Sequence, residues 1–246
     1  MLLAVDIGNT NIKFGLYAGE NLVQLFRTPT RQFPDKAAGS VFAGLSAKPT
    51  RALICSVVPE ANASVAGHIR TELNCTSTFV SNDTDLDLEI RYEPLTAAGT
   101  DRLINSFSAA ERYGAPCIVC SFGTALTIDA IDQDRVLKGG LIAPGMSTMA
   151  KALNFYTSKL PEVSIEKPTT VIQNDTVGSI RSGIVYGYFG LATSLIERVK
   201  QEMVADAKVI ATGGFARMIA ENTDCIDIVD ENLLLDGLMR LHRRLS

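Results

Sequence analysis

The run Asp6-Ile7-Gly8-Asn9-Thr10-Asn11-Ile12-Lys13 sets a carboxylate, a glycine, small polar side chains and an amine in one short stretch. The apolar segments LLAVDI and NIKFGLY around Gly8 read as strands, so Asp6 ends a buried strand and a tight turn follows it. Glycine has no Cβ, so its backbone can approach a phosphate closely, while Asn9 and Thr10 bring donors to it. Asp6 then suits a Mg²⁺ ion held through water, and Lys13 suits the phosphate charge. A plain hairpin turn, with Asp6 as its hydrogen-bonding partner, explains the same residues.

A second turn of this kind stands at Gly123-Thr124, between the strand-like segments PCIVCSF and ALTIDAI. Two such hairpins facing each other can hold a polyphosphate, which favours the phosphate reading over the plain turn. No Gly-x-x-x-x-Gly-Lys-[Ser/Thr] loop and no Gly-x-Gly-x-x-Gly fingerprint occurs, so other modes of phosphate binding are not indicated. Gly99-Thr100-Asp101-Arg102 opens the helical segment LINSFSAAERYG. There Asp101 can orient a substrate hydroxyl and accept its proton, and Arg102 can stabilise anionic charge. Alternatively, Thr100 or Asp101 caps the helix and Arg102 is solvated.

The elements that must position these groups occur twice. With Gly8 and Gly123 superposed, each half reads as three strands, helix, strand, helix, strand, helix. RALICSVVP and AKVIATGGF are the fourth strands, and DRLINSFSAAERYG and NLLLDGLMRLHRRL the closing helices. Antiparallel meander strands joined to a parallel set by crossovers make a mixed sheet. The expected architecture is therefore α/β, with lobes 1–114 and 115–246 divided where a helix ends in Gly114 and Pro116 precedes the next strand. The segment 176–203 is expected to be one long helix. Its stripe of Ser179, Gly183, Gly187 and Gly190 suits close helix packing.

Composition narrows the function. A net charge of -4 over 246 residues offers no basic surface for a nucleic acid. No apolar run nears the roughly 20 residues of a membrane span, and the start MLLAVDIGNT has no basic region or cleavage site, so a cytoplasmic protein is expected. Five cysteines, mostly in apolar runs, read as reduced thiols. With two histidines, His68 and His242, chemistry must come from carboxylates, hydroxyls, amides and cations.

The paired hairpins resemble the ATP-binding core of actin, Hsp70 and sugar kinases, the ribonuclease H-like ASKHA superfamily. More narrowly, the chain resembles the bacterial type III pantothenate kinases over nearly its whole length. The resemblance is carried by Asp6 to Lys13, then Tyr92 and Pro94 before Gly99 to Arg102. It continues through Gly123-Thr124-Ala125 with Thr127 and Asp129, Gly139 to Gly145, and Asn174 and Thr176 before Ser182-Gly183. The resemblance implies ATP-dependent phosphorylation of pantothenate, the first step toward coenzyme A, with Mg²⁺ and a monovalent cation, K⁺ or NH₄⁺, in a homodimer. It implies that Asp6, Ile7, Gly8, Asn9, Thr10, Asn11, Ile12, Lys13 and Thr124 contact ATP. Asp101 is implied as proton acceptor, and Tyr92, Gly99, Thr100, Asp101, Arg102 and Thr176 as pantothenate contacts, Thr176 reaching from the partner subunit. Where the family carries an aspartate for the monovalent cation, this chain has Ser121, which puts potassium dependence in question. Two other readings suit the scaffold: a nucleotide-binding regulator like the Baf transcriptional activators, and a kinase for another hydroxylated metabolite.

Overall fold

The computed structural model describes residues 1–33, 38–203 and 206–245. Contacts divide the chain into two compact units, Met1–Arg112 with Asn232–Ser246, and Tyr113–Glu231.

In the first unit, β1 (Leu2–Ile7), β2 (Asn11–Ala18) and β3 (Asn21–Pro29) form a meander. Then come α1 (Ala38–Ala43), β4 (Arg51–Ser56), α2 (Pro59–Leu73), β5 (Thr76–Phe79), the short β6 (Glu89–Ile90) and α3 (Thr100–Tyr113). The sheet order is β3-β2-β1-β4-β5, antiparallel through the meander and parallel beyond it. Alternation along β1 sends Leu3, Val5 and Ile7 into a core shared with Val65 and Ile69 of α2. Ala4 and Asp6 consequently face the opposite side of the sheet.

The second unit repeats the plan with β7 (Cys117–Phe122), β8 (Ala125–Ile131) and β9 (Val136–Pro144), followed by α4 (Met146–Tyr156) and α5 (Thr176–Met203). After these come β10 (Lys208–Thr212), α6 (Ala216–Ala220) and β11 (Ile228–Val229). Within this unit the order is β9-β8-β7-β10-β11, strand for strand the order of the first. Pairings are again antiparallel in the meander and parallel beyond it. Two mixed sheets of one repeated order are what the duplication in sequence implies.

The closing helix α7 (Leu233–Arg244) departs from the expected grouping with 115–246, because it packs on β1, β4 and β2. The Tyr17 hydroxyl donates to Asp236 Oδ1 at 2.6 Å, and Arg112 pairs with the other Asp236 oxygen. Gly237 lies close against Ile104 and Ser108 of α3. The apolar stripe Leu235, Leu238 and Leu241 is buried. Such a stripe requires a sheet to cover but does not name which one.

Helix α5 spans 176–203 as expected, with Ile184, Tyr188, Ala192 and Ile196 in the second core. Its small-residue stripe is not a packing groove within the unit. A methyl group added at Gly183, Gly187 or Gly190 would meet nothing within 4 Å among the described residues.

Candidate active site

Strand register brings the first group of polar residues together. Asp6 stands across from Lys13 on β2 and beside Cys55 on β4, so the three side chains share one face of the sheet. The N-terminus of α3 meets this face through Thr100. Its hydroxyl donates to the Ser56 carbonyl at 3.0 Å and accepts from the Cys55 thiol at 3.5 Å. Burial raises the Cys55 pKa, and the Asp6 charge raises it further, so the thiol remains a donor.

One residue along α3, Asp101 accepts from the Arg102 amide at 2.9 Å. A Cβ at position 99 would come within 2.5 Å of Asp101 Oδ1, so Gly99 leaves the space in which this carboxylate sits. Arg102, 6% exposed, donates from Nη1 to the Tyr92 hydroxyl at 3.2 Å, and its guanidinium lies over the Tyr92 ring. The solvated arginine of the capping alternative is therefore not found.

Burial acts on both carboxylates. Burial pushes Asp6 up to about 6; Lys13 opposes the rise and the Asp101 charge adds to it. Asp101 is raised by its own burial, against the Arg102 amide and charge. A buried anion so incompletely compensated suits a hard cation, because Mg²⁺ takes one or two carboxylates and completes its shell with water and substrate phosphates. The oxygen donors Asp6 and Asp101 fit that role. Among the described residues no group of three or more His, Cys, Asp or Glu forms a separate metal cluster.

At the turn, the Gly8 amide is committed to the Asn11 carbonyl at 3.1 Å, which leaves Asn9 and Thr10 as the exposed tip. Ile7 and Ile12 are the last cross-strand pair before it.

In the second unit the hairpin is one residue shorter, closing between Phe122 and Leu126 with the Gly123 amide on the Ala125 carbonyl at 3.0 Å. Thr124 is exposed at its tip. Ser121 lies in register with Thr127 and Thr212, so its strand partners are neutral hydroxyls. Thr176 begins α5 and is exposed; the helix is capped by the neighbouring Asp175, whose Oδ1 accepts from the Gly178 amide at 2.8 Å.

The sequence profile of the type III pantothenate kinase family matches residues 2–198. A type III pantothenate kinase of Desulfosudis oleivorans is 40% identical over 97% of each chain. Another, of Paramagnetospirillum magneticum, is 38% identical over 100% of this chain and 98% of its own. This chain belongs to the type III pantothenate kinase family. As a member it is a kinase, and its fold is shared with more distant proteins. A Campylobacter jejuni protein assigned to the Baf family of transcriptional activators superposes with a TM-score of 0.61 at 21% identity, covering 99% of this chain and 98% of that one. The inorganic polyphosphate/ATP-glucomannokinase of Arthrobacter sp. strain KM gives 0.50 at 17% identity, covering 99% and 98%. At these identities the likeness concerns fold alone.

Sequence reasoning missed Cys55 and Ser56, because only the parallel pairing of β1 with β4 sets them beside Asp6. It also missed Thr30, whose hydroxyl donates to the Gly8 carbonyl at 2.6 Å. The signal for Thr30 lay in the repeat: Pro29 and Pro144 end equivalent strands.

Proposed function

We propose that this kinase transfers the γ-phosphate of ATP to the primary hydroxyl of pantothenate, forming 4′-phosphopantothenate at the first step of coenzyme A biosynthesis. The observation that carries the reading is the docking of the α3 N-terminus, through Thr100 on Ser56 and Cys55, against the sheet face that carries Asp6, on a chain that matches pantothenate kinases along its length. Asp6, Ile7, Gly8, Asn9, Thr10, Asn11, Ile12 and Lys13, with Thr124, form the ATP contacts. Lys13 neutralises phosphate charge, and the exposed tips present donors. Mg²⁺, when bound at Asp6 through water, supplies charge stabilisation at the phosphates.

Asp101 aligns the substrate hydroxyl and receives its proton as the oxygen attacks the γ-phosphorus. The bond to the β,γ-bridging oxygen breaks, and ADP leaves. Because the transition state is loose, alignment matters more than basicity. Arg102, braced by Tyr92, meets the pantothenate carboxylate as a planar fork. Gly99 and Thr100 set the backbone there. The Thr100 hydroxyl is engaged by Ser56 and Cys55, so its part is to hold Asp101 in place.

The working form is a homodimer to which Thr176 contributes from the partner subunit. Support comes from the open glycine stripe of α5 and from the exposed apolar side chains Phe155, Tyr156, Val171 and Ile172. K⁺ or NH₄⁺ at Ser121 is a weak feature, since a hydroxyl attracts a cation less than a carboxylate does.

An acceptor comparison tests the reading: with ATP and Mg²⁺, pantothenate should be phosphorylated, and glucose and N-acetylmannosamine should not. Turnover of either sugar in preference to pantothenate would overturn it.

A further inference from the structure

We propose that Thr30 and Thr148 are positioning residues that latch the two hairpins, an inference that rests on reading those hairpins as the ATP site. In the first unit β3 ends at Pro29, which pairs with Asn11. The next residue, Thr30, donates its amide to the Thr10 carbonyl at 3.0 Å and its hydroxyl to the Gly8 carbonyl at 2.6 Å. One buried residue thus fastens both carbonyls that flank Asn9, the Thr10 carbonyl by its amide and the Gly8 carbonyl by its side chain.

The second unit fastens its hairpin with different residues, and both donors meet on one carbonyl. β9 ends at Pro144, which pairs with Ala125, and the following Gly145 amide donates to the Thr124 carbonyl at 3.0 Å. Because this hairpin is shorter, the chain passes so close that a Cβ on residue 145 would run into the Gly123 and Thr124 carbonyls. A threonine cannot stand there. The hydroxyl comes instead from Thr148, in the first turn of α4, which donates to Thr124 O at 2.6 Å.

The latch matters because a peptide unit is planar and trans, so its C=O and the following N–H point in opposite directions. Fixing the Gly8 carbonyl inward turns the Asn9 amide outward, and fixing the Thr124 carbonyl does the same for the Ala125 amide. Amides held in advance toward an anion need no reorganisation when it binds. Without the Thr30 hydroxyl the Gly8 carbonyl can turn toward the phosphate; without the Thr148 hydroxyl the Thr124 carbonyl keeps the Gly145 amide and loses one of two restraints.

The test uses the full chain with Mg²⁺ and a non-hydrolysable ATP analogue, comparing Thr30→Val, Thr148→Val, Thr30→Ser and Thr148→Ser by calorimetry, steady-state kinetics and thermal melting. Thr30→Val is expected to weaken analogue binding about five- to tenfold and Thr148→Val, which keeps the Gly145 amide on the carbonyl, about three- to fivefold, each raising the KM for ATP alike. The KM for pantothenate should stay within about twofold, and each serine variant should recover within about twofold of the parent. Valine variants that bind the analogue as the parent does would overturn the latch, as would serine variants no better than valine. If Thr30→Val fails to fold, Thr148→Val, at a half-buried helix position, decides by the same readouts. A parent protein that binds no analogue would instead sink the ATP-site reading itself.

Discussion

Arg102 holds its guanidinium 5.2 Å from the centre of the Tyr92 ring and bonds the Tyr92 hydroxyl from the same group. A cation stacked and tethered in this way has one fixed orientation, with little side-chain freedom left to lose when an anion arrives. Arg102→Lys keeps the charge and loses the fork and the stack. Its KM for pantothenate should rise at least about tenfold with a smaller change in kcat, while Tyr92→Phe, which keeps the ring, should change KM by only about two- to threefold. Equal effects of the two substitutions on initial-rate kinetics would show that the stack is not what orients the arginine.

Asp6 makes the free protein's stability depend on pH. Its pKa is raised to about 6 by burial, so the fold favours the protonated carboxyl. The favourable contribution is fully present below about pH 4, near the unfolded value, and is lost as pH rises through about 6. Asp6→Asn, which cannot ionise, should therefore be more stable than the parent at pH 8, by on the order of 3 kcal/mol. That advantage should fade below about pH 4. Mg²⁺ should raise the parent's Tm at pH 8 more than at pH 5, since protons compete for the carboxylate. Denaturant melts at three pH values check both signs; a constant difference between the proteins would mean that Asp6 ionises freely.

Ser121 and its register partners Thr127 and Thr212 present hydroxyls where a cation would need charge. The rate should accordingly change less than about twofold when K⁺ replaces a bulky organic cation, and Ser121→Asp should make the dependence steeper. A strong potassium requirement in the unaltered protein would place the cation on other groups.

Much of this arrangement was legible in the sequence because its signals are local. Gly8 and Gly123 marked two hairpins, and the apolar runs around them marked two copies of a meander, to which the structure adds one shared strand order. Gly99 to Arg102 marked a helix start. The closing helix was assigned to the wrong sheet because Leu235, Leu238 and Leu241 specify a buried stripe and nothing about its partner. Cys55 was invisible as a neighbour of Asp6 for a related reason, since a parallel pairing across a crossover leaves no turn to set the register. The glycines of α5 suggested packing, and the structure leaves them open. Spacing along a helix shows which residues share a face; it does not show whether this chain or another covers it.

Formation of 4′-phosphopantothenate from ATP and pantothenate, followed by mass spectrometry with Mg²⁺ and either K⁺ or NH₄⁺ present, is the most direct test. Asp101→Asn keeps the side-chain shape and loses the proton acceptor, so it serves as the internal control. The expected result is product from the parent and a rate for Asp101→Asn lower by about 10²- to 10⁴-fold, with affinity for the ATP analogue unchanged within about twofold. No product from the parent with either cation, or an Asp101→Asn variant as active as the parent, would contradict the assignment.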